Sequence, residues 1–577
     1  MGIFCWSNGP REAPRTLEGW RMERLSYSSG TSSIPLLGET LGANIDRIAA
    51  TFPDNEAVVS VHQNARLTYR EFRAATDELA RGLMALGVEH GDRVGIWSTN
   101  NIEWVIAQFA TPKIGAILVN LNPAYRSSEA SYVLQQSGVS VLLVQMSHKT
   151  SDYTEMVREI RGSLPGLRTI VLIGDDEIDA PLPGAIRWAD IAEAARNVSA
   201  EALAERLART QPDDAINIQY TSGTTGFPKG ATLTHHNILN NGFFIGEGCR
   251  YTPADRVCLP VPFFHCFGMV LGNLAIVTHG ATIVIPNYSF DAALTMEAVV
   301  KERCTALYGV PTMFIAELAL PNFASYDCSS LRTGIMAGSP CPVEIMKRVQ
   351  SEMHMPEVTI CYGMTETSPV STQTGVDDPL DKRTGTVGRV HPHLEVKIVD
   401  ENGRLVPLGT PGELCTRGYS VMLGYWNDPE NTAKAIDAAR YMHTGDIATM
   451  DEDGYLNIAG RIKDMVIRGG ENVYPREIEE FLYGHPAVKD VSVIGVPDER
   501  YGEEICAWVI LHEGAEVDEE AIKAYCRGTI AHYKVPRYVR FVSEFPLTIS
   551  GKVQKFKMRE VSTAELGLHA AASIVTA

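Results

Sequence analysis

The sequence predicts an α/β protein, on three features of its patterning. From about residue 38, short β-branched runs alternate with segments whose apolar residues recur at helical spacing, which implies parallel strands joined by crossover helices. After Gly388 the runs are separated by Gly, Pro and Asp turns, the texture of an antiparallel sheet or barrel. Near Lys463 a last block begins with its own strands and helices, a small α+β domain of roughly a hundred residues. The expected division is an N-terminal extension over 1–37, a large domain over 38–462 and a small C-terminal domain over 463–577.

In chain order, a helix opens at Leu41, and Tyr69 to Leu86 forms a second, ending near Gly87. Arg93 to Trp97 reads as a strand, Trp104 to Ile114 as a helix and Ala116 to Val119 as a buried strand. The pattern repeats with strands at Val139–Val144, Thr169–Ile173, Ala215–Tyr220, Val257–Pro262, Ala281–Pro286, Ala306–Gly309 and Thr359–Cys361. The shorter strands beyond Gly388 are Glu395–Val399, Gly412–Thr416 and Tyr455–Ile458. The last block combines strands Val491–Val496 and Ile505–Leu511 with helices Pro475–Tyr483 and Asp518–Ile530, and no internal repeat or heptad run is visible.

Composition narrows the function classes. The 577 residues are 45% hydrophobic and 21% charged, which argues against a disordered chain. Lys plus Arg is 51 and Asp plus Glu is 70, and the net charge of −19 disfavours a nucleic-acid binder, although local donors can still hold one phosphate chain. Eleven cysteines form no C-x-x-C pair, so metal-site spacing is absent and the pattern fits reduced thiols in a cytoplasmic protein. Met1–Pro10 lacks the apolar stretch of a signal peptide, and Trp6 stands where myristoylation wants Ser or Thr. Asn273, Thr278 and His279 interrupt the longest apolar region, Met269 to Ile285, so no integral membrane span is expected. Residues 1–30 read as loosely ordered, with Met22 a second candidate start.

The most informative segment follows the strand Ala215–Tyr220: Thr221-Ser222-Gly223-Thr224-Thr225-Gly226-Phe227-Pro228-Lys229-Gly230. Its glycines let the backbone approach an anion, its hydroxyls donate and Lys229 supplies charge, so the loop can wrap a polyphosphate. It is not a Walker A loop, because Lys229 is followed by Gly230 instead of Ser or Thr.

This loop, with Tyr425-Trp426, Ile467-Arg468-Gly469-Gly470-Glu471-Asn472 and Pro546-Leu547-Thr548-Ile549-Ser550-Gly551-Lys552, resembles the adenylate-forming superfamily of acyl-CoA synthetases, peptide-synthetase adenylation domains and beetle luciferases. The resemblance runs from about residue 40 to 560. It implies a large AMP-binding domain containing a distorted β-barrel, and a small mobile lid that turns about Lys463. It further implies that Thr221 to Lys229, Gly338, Ser339, Pro340, Tyr362, Gly363, Thr365, Asp446, Arg461 and Lys552 bind ATP or AMP. Residue chemistry agrees at several positions. Tyr362 offers a flat face to a purine, Thr365 can donate to the α-phosphate, and Glu366 is an oxygen ligand suited to Mg2+, although alone they read equally as a core tyrosine and a surface glutamate. Gly338 leaves room for a ring, and Asp446 and Arg461 can bond ribose hydroxyls.

His265, in Phe263-Phe264-His265-Cys266, falls where the family lines the carboxylate end of its acyl pocket; a satisfied, half-buried histidine is the alternative. Amino-acid-activating relatives carry an Asp in this region to pair the substrate ammonium, and its absence disfavours an amino-acid substrate. Val310, Pro311, Met336 and Met364 are expected as apolar walls, and Gly469 and Gly470 as the low wall past which the arm of coenzyme A threads. Lys552, Glu366 and His265 are the expected catalytic residues, and none of the cysteines is needed as a nucleophile.

The implied reaction is a two-step ligation of a small-molecule carboxylic acid with ATP, Mg2+ and coenzyme A, through an acyl-adenylate, to acyl-CoA, AMP and diphosphate. The resemblance favours a medium-chain fatty acid. An aryl acid, a stand-alone enzyme loading a carrier protein, a luciferase-like oxygenation and an inactive binding protein remain the alternatives. A homodimer and a peripheral membrane contact stay open.

Overall fold

The structure, a computed structural model, describes residues 24–174, 182–221, 228–339, 341–468, 471–498, 500–527, 529–548 and 552–569. Helix starts are set locally. Thr40 accepts from Ala43 N–H at the head of Leu41–Thr51. Thr68 and Glu71 close a reciprocal capping box on Tyr69–Ala85, a cap whose loss costs about 1 kcal/mol.

Two large sheets form the body of the molecule. The first orders its strands Ile186–Arg187, Thr169–Ile173, Val139–Gln145, Arg93–Trp97, Ile117–Asn120, Ala215–Thr221, Lys229–Thr234 and Gly424–Tyr425. It is parallel as far as Ala215–Thr221, and its last two strands are antiparallel. The second runs Arg389–Val390, Val370–Gln373, Glu357–Gly363, Thr333–Ala337, Ala306–Gly309, Arg256–Cys258, Thr282–Ile285, Glu56–Ser60 and Ala65–Thr68. Its centre is parallel and both its edges are antiparallel.

The strands are apolar on both faces because both faces are covered. Val94, Ile96 and Leu118 of the first sheet join Ile283, Ile285 and Ile335 of the second in one core. Trp97, Ile117 and Val119 point the other way, into a core shared with Val133 and Val157. Met336, Leu307 and Val358 leave the second sheet towards a third core, which includes Val396, Leu414 and Ala448.

Those last residues belong to a five-stranded antiparallel sheet ordered Tyr27–Ser29, Leu394–Val399, Gly412–Gly418, Met442–Met450 and Leu456–Arg461. The expectation of loose order through residue 30 fails here, since Tyr27, Ser28 and Ser29 pair with Lys397, Val396 and Glu395. A three-residue strand leaves too short a period to read from sequence. The expected strand Val257–Pro262 is confined to Arg256–Cys258, because Pro260 and Pro262 have no N–H for the ladder.

The chain leaves the five-stranded sheet at Arg461, turns through Ile462–Asp464 and enters another sheet at Val466. There Gly502–Leu511 pairs antiparallel with Val488–Asp498 and parallel with Tyr538–Phe541. Helices Pro475–Tyr483 and Glu519–Cys526 cover one face through Ile478, Leu482 and Ile522. Helix Lys555–Glu565 covers the other, with Met558 against Ile494, Val496 and Trp508. Among the described residues no helix is long and apolar enough to cross a membrane; Met269 to Ile285 instead includes buried helical turns and the buried strand Thr282–Ile285. The ten described cysteines are free and buried.

Candidate active site

The described site residues, Met336 apart, come from the first sheet, the second sheet, the five-stranded sheet and the small domain, and bonds such as Thr221–Glu366 and Tyr362–Asp446 link the sheets. Ser222, Gly223, Thr224, Thr225, Gly226 and Phe227 lie outside the described residues, as do Pro340, Gly469 and Gly470. The ends of the glycine-rich loop are described: Thr221 and Lys229 face each other in register on an antiparallel hairpin, with Pro228 immediately before Lys229. The Lys229 Nζ lies 5.2 Å from the ring centre of Tyr425.

The segment Tyr362-Gly363-Met364-Thr365-Glu366 crosses from the strand Glu357–Gly363 into a single turn, Thr365–Thr367. Gly363 is required, because a Cβ there would lie 1.8 Å from the Pro369 carbonyl oxygen. Gly338 has φ +92°, a left-handed conformation that glycine adopts without strain, and Ser339 follows it.

Tyr362 Oη donates to Asp446 Oδ2 at 2.6 Å, and Arg461 Nε donates to Asp446 Oδ1 at 3.1 Å. Asp446 and Arg461 are direct partners on adjacent antiparallel strands, so the pair is set by register. Burial raises the Asp446 pKa, against the opposing charge of Arg461 and the bond from Tyr362. Burial and the neighbouring carboxylate push the Tyr362 hydroxyl far up, so it stays a donor.

Glu366 is buried and accepts through Oε1 from Tyr425 Oη at 2.8 Å and from Thr221 Oγ1 at 3.4 Å. Sequence reasoning gave Tyr425 no role, yet the structure sets its hydroxyl on Glu366. The Tyr425-Trp426 pair marks a family segment, but only the pairing of Gly424–Tyr425 with Lys229–Thr234 shows the hydroxyl aimed at Glu366.

His265 accepts through Nδ1 from Phe267 N–H at 3.1 Å, which makes Nε2 the protonated nitrogen of the neutral ring. Burial, and then the charge of Lys552, lower its pKa to about 3, so it remains neutral at physiological pH. The adjacent Cys266 Sγ lies 3.6 Å from Thr365 Oγ1.

Lys552 reaches this group from the small domain. Its backbone N–H donates to Thr548 Oγ1 at 3.0 Å, and its carbonyl accepts from Thr548 N–H at 2.7 Å, so a tight loop holds it. Burial lowers its pKa, and its charge interacts with Cys266, Arg461, Glu366 and Asp446. Lys463 lies in the connecting turn, its pKa lowered by burial and by Arg461.

Of the expected apolar walls, Val310 and Met364 share one core, to which Pro311 is joined at the head of helix Pro311–Leu318. Met336 does not join them. It points from the opposite face of Thr333–Ala337 into the core of Phe314 and Met346, because side chains alternate along a strand. A cavity of about 290 Å³ opens beside Phe264, walled by Pro260, Pro262, Tyr288, Phe290 and Met313, with the exposed Arg126 and Lys149 also lining it. Nothing in the sequence marks this cavity, whose walls come from six separated segments.

Comparison with known proteins follows the same outline. The profile of the AMP-binding enzyme family matches residues 45–426, and that of the AMP-binding enzyme C-terminal domain matches 477–552. YngI of Bacillus subtilis (strain 168), named as an acyl-CoA synthetase, is 50% identical over 91% of this chain and 97% of its own. The mitochondrial medium-chain acyl-CoA ligase ACSF2 of Danio rerio is 44% identical over 94% of this chain and 91% of its own. Among solved structures, the anthranilate CoA ligase AuaEII in complex with anthranoyl-AMP superposes with a TM-score of 0.81 at 28% identity, covering 92% of this chain and 99% of that one. ATP-bound MatB from Rhodopseudomonas palustris superposes with a TM-score of 0.79 at 29% identity, covering 91% and 99%.

Proposed function

This chain belongs to the family of AMP-binding enzymes, within its acyl-CoA synthetases and ligases, and from that premise we propose that it is an ATP-dependent fatty acyl-CoA synthetase acting on medium-chain fatty acids. The observation that supports the reaction type is the charge of Lys552, which comes from the small domain and acts electrostatically with His265, Cys266, Glu366, Asp446 and Arg461 of the large one. The medium-chain preference rests on ACSF2 and on an acyl wall without an acidic partner for an ammonium group.

A carboxylate is a poor electrophile, so the reaction begins with its oxygen attacking the α-phosphorus of ATP. Lys552 neutralises charge as it develops between the carboxylate and the α-phosphate. The hydroxyls and backbone of the 221–229 loop cradle the phosphates, and Thr365 donates to the α-phosphate. Asp446 and Arg461 hold the ribose, and Tyr362 lies against the base. Neutral His265 donates from Nε2 to the substrate carboxylate without adding a charge. Glu366, a buried carboxylate oriented by the Tyr425 hydroxyl, fits a hard cation and would hold Mg2+, which supplies charge neutralisation for the leaving diphosphate. In the second step the small domain turns about Lys463 and withdraws Lys552, and the thiolate of coenzyme A attacks the acyl carbon, releasing AMP. The exposed cations lining the cavity beside Phe264 complement the phosphates of coenzyme A.

Diphosphate release is measured across straight-chain and aryl acids, with and without coenzyme A. The expected result is AMP formation, fastest with medium-chain fatty acids and requiring coenzyme A for thioester product. Formation of ADP overturns the reaction type, whereas preferred turnover of aryl acids overturns only the substrate. Turnover onto a carrier protein without coenzyme A would favour the carrier-loading alternative.

A further inference from the structure

Beside the turn that carries Asp446, the five-stranded sheet brings together a carboxylate, a thiol and an imidazole. Glu413 and Cys415 lie two residues apart on Gly412–Gly418, and His443 on Met442–Met450 is the cross-strand partner of Cys415. Glu413 Oε2 is 2.8 Å from His443 Nδ1, and Cys415 Sγ is 3.6 Å from the same nitrogen. One ligand atom from each residue lies within 4.8 Å of the other two, a grouping that recurs nowhere else among the described residues.

We propose that Glu413, Cys415 and His443 form a Zn2+ site, with a solvent molecule completing four-coordination. One nitrogen, one sulfur and one oxygen make a donor set suited to this borderline cation. Zn–S and Zn–N bonds of about 2.3 and 2.0 Å at a tetrahedral angle place sulfur and nitrogen roughly 3.5 Å apart, against the 3.6 Å observed. The Glu413–His443 separation is a hydrogen bond in the metal-free protein, since the carboxylate can only accept. It would open by about half an ångström as the proton leaves and both atoms turn to the ion.

Surrounding groups support the arrangement. Asp437 Oδ2 lies 3.7 Å from the other imidazole nitrogen, Nε2, beyond hydrogen-bond distance in the metal-free protein but placed to accept from it once Nδ1 turns to an ion. Lys397 is 3.6 Å from Asp437 and packs over the Tyr441 ring. Glu413 and His443 keep side-chain exposures of 22% and 30%, which leaves an entry path from solvent, while Cys415 closes the inner side. The other Glu413 oxygen accepts from Gly445 N–H at 3.1 Å, next to Asp446, so an ion here would stiffen the turn that carries Asp446.

The test is independent of the ligase reading. Full-length, metal-stripped protein is titrated with Co2+ alone, without nucleotide or Mg2+. One equivalent per chain with a thiolate-to-cobalt charge-transfer band, bleached by Zn2+, is expected. Cys415→Ala and His443→Gln, each checked for folding by circular dichroism, should lose the one-equivalent uptake. Asp437→Asn should keep the band and weaken binding about tenfold. Wild-type protein without the band, or a folded Cys415→Ala variant that retains it undiminished, overturns the proposal.

Discussion

Asp446 and Arg461 face each other across two strands of one sheet, whereas Lys552 reaches the same site from a separate hydrophobic core. Moving the first pair apart would break a ladder. Moving Lys552 away requires only that the small domain turn, because the residues that close its loop, Thr548 among them, belong to the small domain. On the proposed reaction, the contrast suits the two groups to different duties. A nucleotide moiety present in both half-reactions belongs with the fixed pair, and a charge needed in only one belongs on the part that can leave.

The sharpest break of this comparison is Lys552→Ala. It should slow adenylation about a hundred- to a thousandfold, the cost of one positioned group at a developing charge. Thioester formation from supplied acyl-adenylate should stay within about threefold if Lys552 contributes no more than a weak contact there. Rapid-quench measurement of the two half-reactions decides it, and equal losses in both would remove the division of duties.

Asp446→Asn should weaken both half-reactions together, raising KM for ATP about ten- to a hundredfold, as expected for a charge-assisted bond. A loss confined to adenylation would put Asp446 in the same class as Lys552.

Acid should act on the large domain. His235, His265 and His391 have pKa values near 3, lowered by burial, and His62 near 4 for the same cause. Above the ordinary value of 6.5 both folded and unfolded forms are neutral and these residues add no pH dependence. As pH falls below 6.5 the unfolded chain takes up protons that the folded one refuses, so stability declines towards pH 3, by up to about 1.4 kcal/mol per histidine per pH unit. Urea midpoints between pH 7.5 and about 5.5 measure the slope, and His391→Gln should flatten it. An unchanged slope would contradict its burial as a neutral ring.

The smallest expected effect is at Tyr425. Removing its hydroxyl with Tyr425→Phe takes one bond from Glu366 and should raise the Mg2+ concentration for half-maximal activity roughly three- to tenfold. No change in the Mg2+ titration would detach Glu366 from the metal.

Much of this architecture was legible beforehand. Arg93–Trp97, Thr169–Ile173, Ala306–Gly309 and Pro475–Tyr483 have the bounds their periodicity implies. The change of texture after Gly388 marks the antiparallel sheet. Regions with little period of their own were not legible: Tyr27–Ser29 needs Leu394–Val399 to be a strand at all. Among the candidate site residues, Tyr362 and Arg461 both bond Asp446, whereas Met336 faces away, and Tyr425, which was given no role, bonds Glu366. The cysteine spacing carries no sign of the grouping of Glu413, Cys415 and His443, because their proximity runs across a ladder.

By itself the sequence determined the order of elements, the glycines at positions where a side chain cannot fit, and the chemistry of the glycine-rich motif, since all three depend on neighbours along the chain. Tertiary structure alone decided which face of Thr333–Ala337 meets the site, that Asp446 stands opposite Arg461, and that Lys552 reaches across from another domain. Those facts arise from strand register and from packing between separate cores, which couple residues too far apart in the chain for any local pattern to record.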